Sequence, residues 1–267
     1  MTPYSSRIIK ATALLADTRA LLASWDPSQD VAPNLDNARR RNILGKASRS
    51  RVDDVLAILR QRYFARPQVG LALATLVQNH APAAWVDPLL YYYSAQNDQT
   101  LRDVVLEVIV PRRRAGFADV HPQHVQRILR DWVAAGKTTR PWDEETAGSV
   151  AQHILATLRD FGVLQGRREK HIPPLTLPVE PFAFIAFDLY RALGAAERVL
   201  NSPEWGLFYL NPTEVERFFI EAHQQRLLEY YAAGSVIRLE FPYSDLVELA
   251  HALAETVDPQ PGRRSAN

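Results

Sequence analysis

Apolar residues recur at three- and four-residue spacing along most of this chain. That period restricts it to a fold built from amphipathic helices. Ile8, Ile9, Ala13, Leu14, Leu15, Leu21, Leu22 and Trp25 set the pattern at the start. They predict one amphipathic segment or a bent pair, ended by Asp26-Pro27. Residues 26–36 read as a polar loop. A short helix over 37–44 is expected to stop at Gly45. Ser48 or Ser50 then caps a second helix, with Asp53 and Asp54 in its first turn and Val52, Val55, Leu56 and Leu59 as its buried stripe. Helix, tight turn, Ser-capped helix is the order of a helix-turn-helix.

Further helices are predicted over 67–110, the last ended by Pro111 and followed by Arg112-Arg113-Arg114. Another spans 121–136 and closes at Gly136. KTTRPW (137–142) reads as a domain joint. A long helix covers 143–164 and is broken at Gly162. LQGRREKHIP then reads as strand, basic turn and strand, the arrangement of a wing behind a helix. Helices follow over 181–200 and 211–233, the latter stopped by Gly234. A strand over 235–243 and a helix from a Ser244 cap to Glu255 complete the chain. The expected class is mainly α: two helical domains with helix-turn-helix or winged-helix-like elements and a few short strands. Residues 1–140 would form the first domain, 141–258 the second, and 259–267 a disordered tail.

Composition excludes several functions. The chain has 267 residues and no cysteine. Disulfides, thiolate-bound zinc, iron–sulfur clusters and Cys nucleophiles are therefore out. The N-terminus has no uninterrupted apolar stretch of the kind a secretory signal needs. The most apolar window, residues 181–190, contains Asp188, so no membrane span is expected. A cytoplasmic protein is the expectation.

Charge divides the chain more sharply than composition does. Residues 1–140 hold 20 Lys+Arg and 12 Asp+Glu, a net of +8. Residues 141–267 hold 11 and 18, a net of −7. Arg39 to Arg66 alone carries nine basic residues against Asp53 and Asp54. A basic half suits a polyanion. Arg39, Arg40, Arg41, Lys46, Ser48, Arg49, Ser50 and Arg51 are the first candidates for phosphate contact, because hydroxyls and free N–H groups at a helix start suit phosphate oxygens and arginine adds charge-assisted bonds. The alternative is a plain cap with solvated arginines. Arg112, Arg113 and Arg114 are either a second phosphate clamp or a solvated loop. Arg167, Arg168 and Lys170 are either wing contacts or an ordinary surface hairpin. Arg60 and Arg62 sit near a helix C-terminus and suit its dipole.

No enzyme signature is present. G-x-x-x-x-G-K-[ST], G-x-S-x-G and G-x-G-x-x-G are all missing. Asp53-Asp54 and Glu144-Glu145 are adjacent pairs, better suited to helix starts than to acid–base work. His121 and His124 are three apart, but no ligand set accompanies them. Tyr91-Tyr92-Tyr93 could stack on bases, although three consecutive positions on a helix put at least one in the core. Trp205, Phe208, Tyr209, Phe218 and Phe219 read as core. No catalytic residue, metal, cofactor or small-molecule substrate is expected.

Four stretches carry a resemblance: YSSRIIKATALLADTRALLASW, NILGKASRSRVDDVLAILRQRY, LATLRDFGVLQG followed by HIPP, and LEYYAAGSVIRLEFPYSDL. In order and spacing they resemble the BrxA family across residues 4–255. The resemblance implies a small, non-enzymatic component of a BREX bacteriophage-exclusion system. It further implies double-stranded DNA binding, NusB-like helical similarity, winged-helix elements and other BREX proteins as partners. Lys46, Ser48, Arg49, Ser50 and Arg51 match the family's small-polar and basic run. Arg39-Arg40-Arg41 is denser in charge than that pattern. Two other readings stay open: a protein–protein scaffold without nucleic-acid contact, and an RNA-binding protein.

Overall fold

The computed structural model describes residues 3–10, 12–234 and 236–257. The chain is mainly helical, as its periodicity predicts. A 3-10 turn (Arg7–Lys10) and α1 (Leu15–Ala23) form the bent pair at the start. α2 (Val31–Arg40) begins inside the segment expected to be loop, so the short helix expected over 37–44 gives way to a longer one ending earlier. Pro33 is the reason: its fixed φ suits a helix's first turn, where its missing N–H costs nothing. Asn34 ties that turn down, accepting from the Asp26 N–H at 2.7 Å.

α3 (Arg49–Tyr63) is capped by Ser48, whose hydroxyl accepts from the Arg51 N–H at 3.2 Å. Asp53 and Asp54 therefore fall in its second turn, not its first. They pair with Arg39 at 2.5 Å and Lys10 at 3.9 Å. The predicted stripe of Val52, Val55, Leu56 and Leu59 is buried. α4 (Pro67–Gln78) carries Gly70, where a Cβ would lie 2.1 Å from Cδ1 of Phe64. The glycine lets the Phe64 ring lie on the helix and stack against Trp25, centroids 4.1 Å apart.

α5 (Ala83–Asn97) leads to α6 (Gln99–Val104), a π-turn (Val105–Ile109) and α7 (Val110–Arg114). Pro111 thus does not end the helix. The wider π-turn just before it shifts the bonding partners, so the missing proline N–H and its ring are accommodated. β1 (Asp119–Val120), α8 (Pro122–Ala134) and α9 (Glu144–Asp160) follow. β2 (Lys170–His171) pairs antiparallel with β1, Val120 opposite Lys170. On its other side, Gln165 and His171 exchange backbone hydrogen bonds of 2.9 Å each. The expected wing is therefore a tight turn closed by one bridged pair.

α10 (Val179–Leu193), α11 (Ala196–Leu200) and α12 (Pro212–Gln224) form the rear helices. The helix expected to reach residue 233 stops at Gln224, where Arg226 turns to a φ of 61°. Beyond it, β3 (Glu229–Ala233) and β4 (Val236–Glu240) make an antiparallel hairpin. Its alternation is visible at the tyrosines. Tyr230 is buried, its ring 5.5 Å from Phe219, while Tyr231 is half exposed. α13 (Leu246–Glu255) is capped by Asp245 and not Ser244; the Asp245 carboxylate accepts from the Val247 and Glu248 N–H groups at 2.8 and 3.0 Å. The tail expected to be disordered, residues 259–267, lies outside the described residues.

One continuous hydrophobic cluster draws on both halves of the sequence. α13 packs on α4, α10 on α5, and α8 on α9. Tyr91, Tyr92 and Tyr93 are all buried, which removes base stacking as their role. The Tyr93 hydroxyl donates to Asp188 at 3.1 Å, and Arg66 grips the same carboxylate with two bonds of 2.8 and 2.7 Å. Residue 140 is thus a boundary of charge, and hydrophobic packing crosses it. No helix among the described residues is long and apolar enough to cross a membrane.

Candidate nucleic-acid interface

The eight front candidates surround the turn between α2 and α3. Arg39 and Arg40 end α2, and Ser48 to Arg51 begin α3. The turn between them is closed on itself. Asn42 adopts a φ of 45°; its amide donates to the Lys46 carbonyl at 3.0 Å and accepts from the Lys46 N–H at 3.1 Å. Gly45 supplies a second left-handed residue, φ 60°. Sequence reasoning missed Asn42, although Asn tolerates left-handed backbone and favours turns. The turn runs from Arg41 to Ser48, longer than the three or four residues typical of a helix-turn-helix.

The result is a cleft of about 400 Å³ lined by Arg39, Arg40, Lys46, Ser48 and Arg49. Its charges are unequal. Arg39 is held by Asp53 and Asp36, and the Asp53 bond pushes its pKa up further. The Lys46 ammonium lies 2.7 Å from Asp17. Arg40 and Arg49 are exposed and make no ion pair or hydrogen bond among the described residues. Arg41 and Ser50 are exposed outside the cleft. Arg51 donates to the Lys10 carbonyl at 3.1 Å. Every acid that engages this group comes from the front half.

The other candidates lie elsewhere. Arg112, on α7, donates to the Asp119 carbonyl at 3.0 Å and lies over the Phe117 ring. Arg113 lies over the Tyr209 ring, 5.0 Å from its centroid. Arg114 ends the helix, exposed. Arg167, Arg168 and Lys170 border a separate cleft against α9. The positive residues thus form three groups. Arg62 belongs to none: it is buried and donates to the Thr12 carbonyl at 2.8 Å, so it clamps the chain before α1 instead of serving a helix dipole.

His121 and His124 serve a helix start. The His121 N–H donates to Nδ1 of His124 at 3.1 Å, and His121 lies 3.0 Å from Asp119. Burial and the neighbouring Arg112 charge hold His124 below the ordinary histidine pKa. Among the described residues no group of three or more His, Asp or Glu is placed to hold a metal.

The fold and this site define a mainly helical protein with an exposed arginine cleft at one helix start and small hairpins elsewhere. A family model described as BrxA matches residues 2–188. The chain belongs to the BrxA family, whose members are components of BREX phage-defence systems acting with other proteins. A comparison with curated proteins finds no match.

Proposed function

We propose that this chain is a non-enzymatic, double-stranded DNA-binding subunit of a BREX complex, acting in the cytoplasm and gripping the duplex through its phosphates at the α2–α3 turn. The single observation that carries this reading is the pair Arg40 and Arg49. Both are exposed, both lack a carboxylate partner among the described residues, and both flank a Ser-capped helix start. Unpaired guanidinium groups beside free N–H groups suit phosphate oxygens. Arg41, Ser50 and Arg51 extend the same surface. Arg39 and Lys46 contribute less, because their charge is spent on Asp53, Asp36 and Asp17. Arg113 and Arg114 are the exposed members of the second group, and Arg113 is engaged with the Tyr209 ring. The acidic rear half is the side that faces protein partners, with Ile220, Tyr231 and Val236 exposed on α12 and the β3–β4 hairpin.

Backbone binding predicts a steep salt dependence, the log of affinity falling by about 0.9 per phosphate neutralised for each log unit of salt. Arg40→Ala/Arg49→Ala should weaken duplex binding and flatten that slope by about two contacts. Gel shifts across a salt series measure both. An unchanged midpoint in the folded double variant would leave the scaffold reading in its place. Competition by single-stranded RNA at equal or better affinity would favour the RNA reading.

A further inference from the structure

The 165–171 turn folds against α9 and leaves a cleft of about 470 Å³. Four cationic side chains line it: Arg159 from α9, Arg167 and Arg168 from the turn, and Lys170 from β2. Among the described residues one carboxylate engages them, that of Asp160, 2.5 Å from Arg159. Lys170 is only 8% exposed. Its ammonium donates to the Arg167 carbonyl at 2.5 Å and meets no carboxylate at ion-pair distance among the described residues. Burial first, and the Arg159 charge second, hold it below the ordinary lysine range. Arg167 and Arg168 are exposed and make no ion pair among the described residues.

Like charges gathered around a concavity repel one another and focus a positive potential into it. The backbone enforces the gathering. Gly166 sits at φ 91°, and a Cβ there would fall 1.9 Å from the Glu169 carbonyl oxygen. The remaining walls are different in kind. Pro122, Leu155 and Ala156 are apolar, and Gln152 and His153 add an amide and an imidazole. His153 Nδ1 is engaged with the Ser149 carbonyl at 2.8 Å, so its other ring nitrogen is the one left for a ligand. A cationic end beside an apolar wall, in a space of small-ligand size, matches phosphate groups joined to a flat ring.

We propose that this cleft binds a nucleotide, with its phosphates on Arg159, Arg167, Arg168 and Lys170 and its base against Pro122, Leu155 and Ala156. The site goes beyond the duplex-binding reading and does not rest on it. It lies close to the α3 start: Thr12 forms part of its rim, two residues from the Lys10 carbonyl that receives Arg51.

Calorimetric titration of the full chain with ADP and with inorganic pyrophosphate tests it. ADP should bind at a single site and more tightly than pyrophosphate. Arg167→Ala/Arg168→Ala, which alters exposed side chains only, should weaken ADP by about tenfold or more. Lys170→Met, which keeps the apolar stem, should do the same. Arg40→Ala/Arg49→Ala should leave ADP binding unchanged, so a failure of the duplex reading is separately visible in gel shifts. No saturable binding to the wild-type chain, or undiminished affinity in both cleft variants, overturns the site. Pyrophosphate binding as tightly as ADP overturns the assignment to a nucleotide.

Discussion

Asp188 is the residue on which most of the cross-chain polar order converges. It interrupts the most apolar stretch of the sequence, and the structure buries it to 7% exposure. Arg66 answers with two guanidinium bonds, and Tyr93 with its hydroxyl. Removing one partner of such a pair strands the other. Arg66 is itself 53% exposed, so water recovers part of its cost. Asp188→Asn should therefore lose roughly 2 kcal/mol, read from the urea midpoint. An unmoved midpoint would mean that the three-way contact adds nothing. Burial pushes Tyr93 well above the ordinary tyrosine pKa, with the Asp188 charge as the next cause, so the phenol stays a donor at neutral pH. None of this was legible beforehand: Arg66 and Asp188 are 122 residues apart.

At the scale of the element, helix starts were the most legible features. Ser48 at α3 and the Asp143-Glu144-Glu145 run at α9 fall where their chemistry predicts. Asp143 accepts from Thr146, whose side-chain and N–H bonds hold its carboxyl below the usual range. A depressed carboxyl contributes stability that is complete above the unfolded value, near pH 4, and is lost as pH falls through the folded one. Asp143→Ala should lower the thermal midpoint at pH 7, and the gap should close in strong acid. A gap that persists there would point to propensity and not to the carboxylate. Prolines and strands were less legible. Pro33, Pro111 and the run Glu229–Ala233 each misled, because a proline's effect depends on which turn it occupies and a strand depends on a partner. β3 needs β4 to exist. Within the α2–α3 turn the cations were visible in the sequence, but which of them stay unpaired was not. Asp17 reaches Lys46 across 29 positions, and no local pattern records that.

For the whole molecule, charge and packing divide the chain differently. The net charges of +8 and −7 separate at residue 140. The core does not: α13 lies on α4, and Tyr91 donates to the Leu207 carbonyl at 3.3 Å. Arg102 and Glu204 add an ion pair of 2.5 Å between the halves. Unfolding should therefore proceed as one transition. Far-UV and near-UV circular dichroism should give coincident thermal curves. Two separated steps would show two domains divided near residue 140. The cations around the α2–α3 turn are met by acids of their own half, whereas Arg66, Arg102 and Arg130 pair with Asp188, Glu204 and Glu144 of the rear half.

By itself the sequence determined the helical class, the buried stripes, the main caps and the family, because these depend on period, local chemistry and residue order along the chain. Tertiary structure alone decided which cations remain free and which converge. Ion pairs and clefts form between residues far apart in sequence. Arg40 and Arg49 differ from Arg39 in what the fold brings beside them, and Lys170 comes near Arg159 because a glycine turn closes the hairpin onto α9.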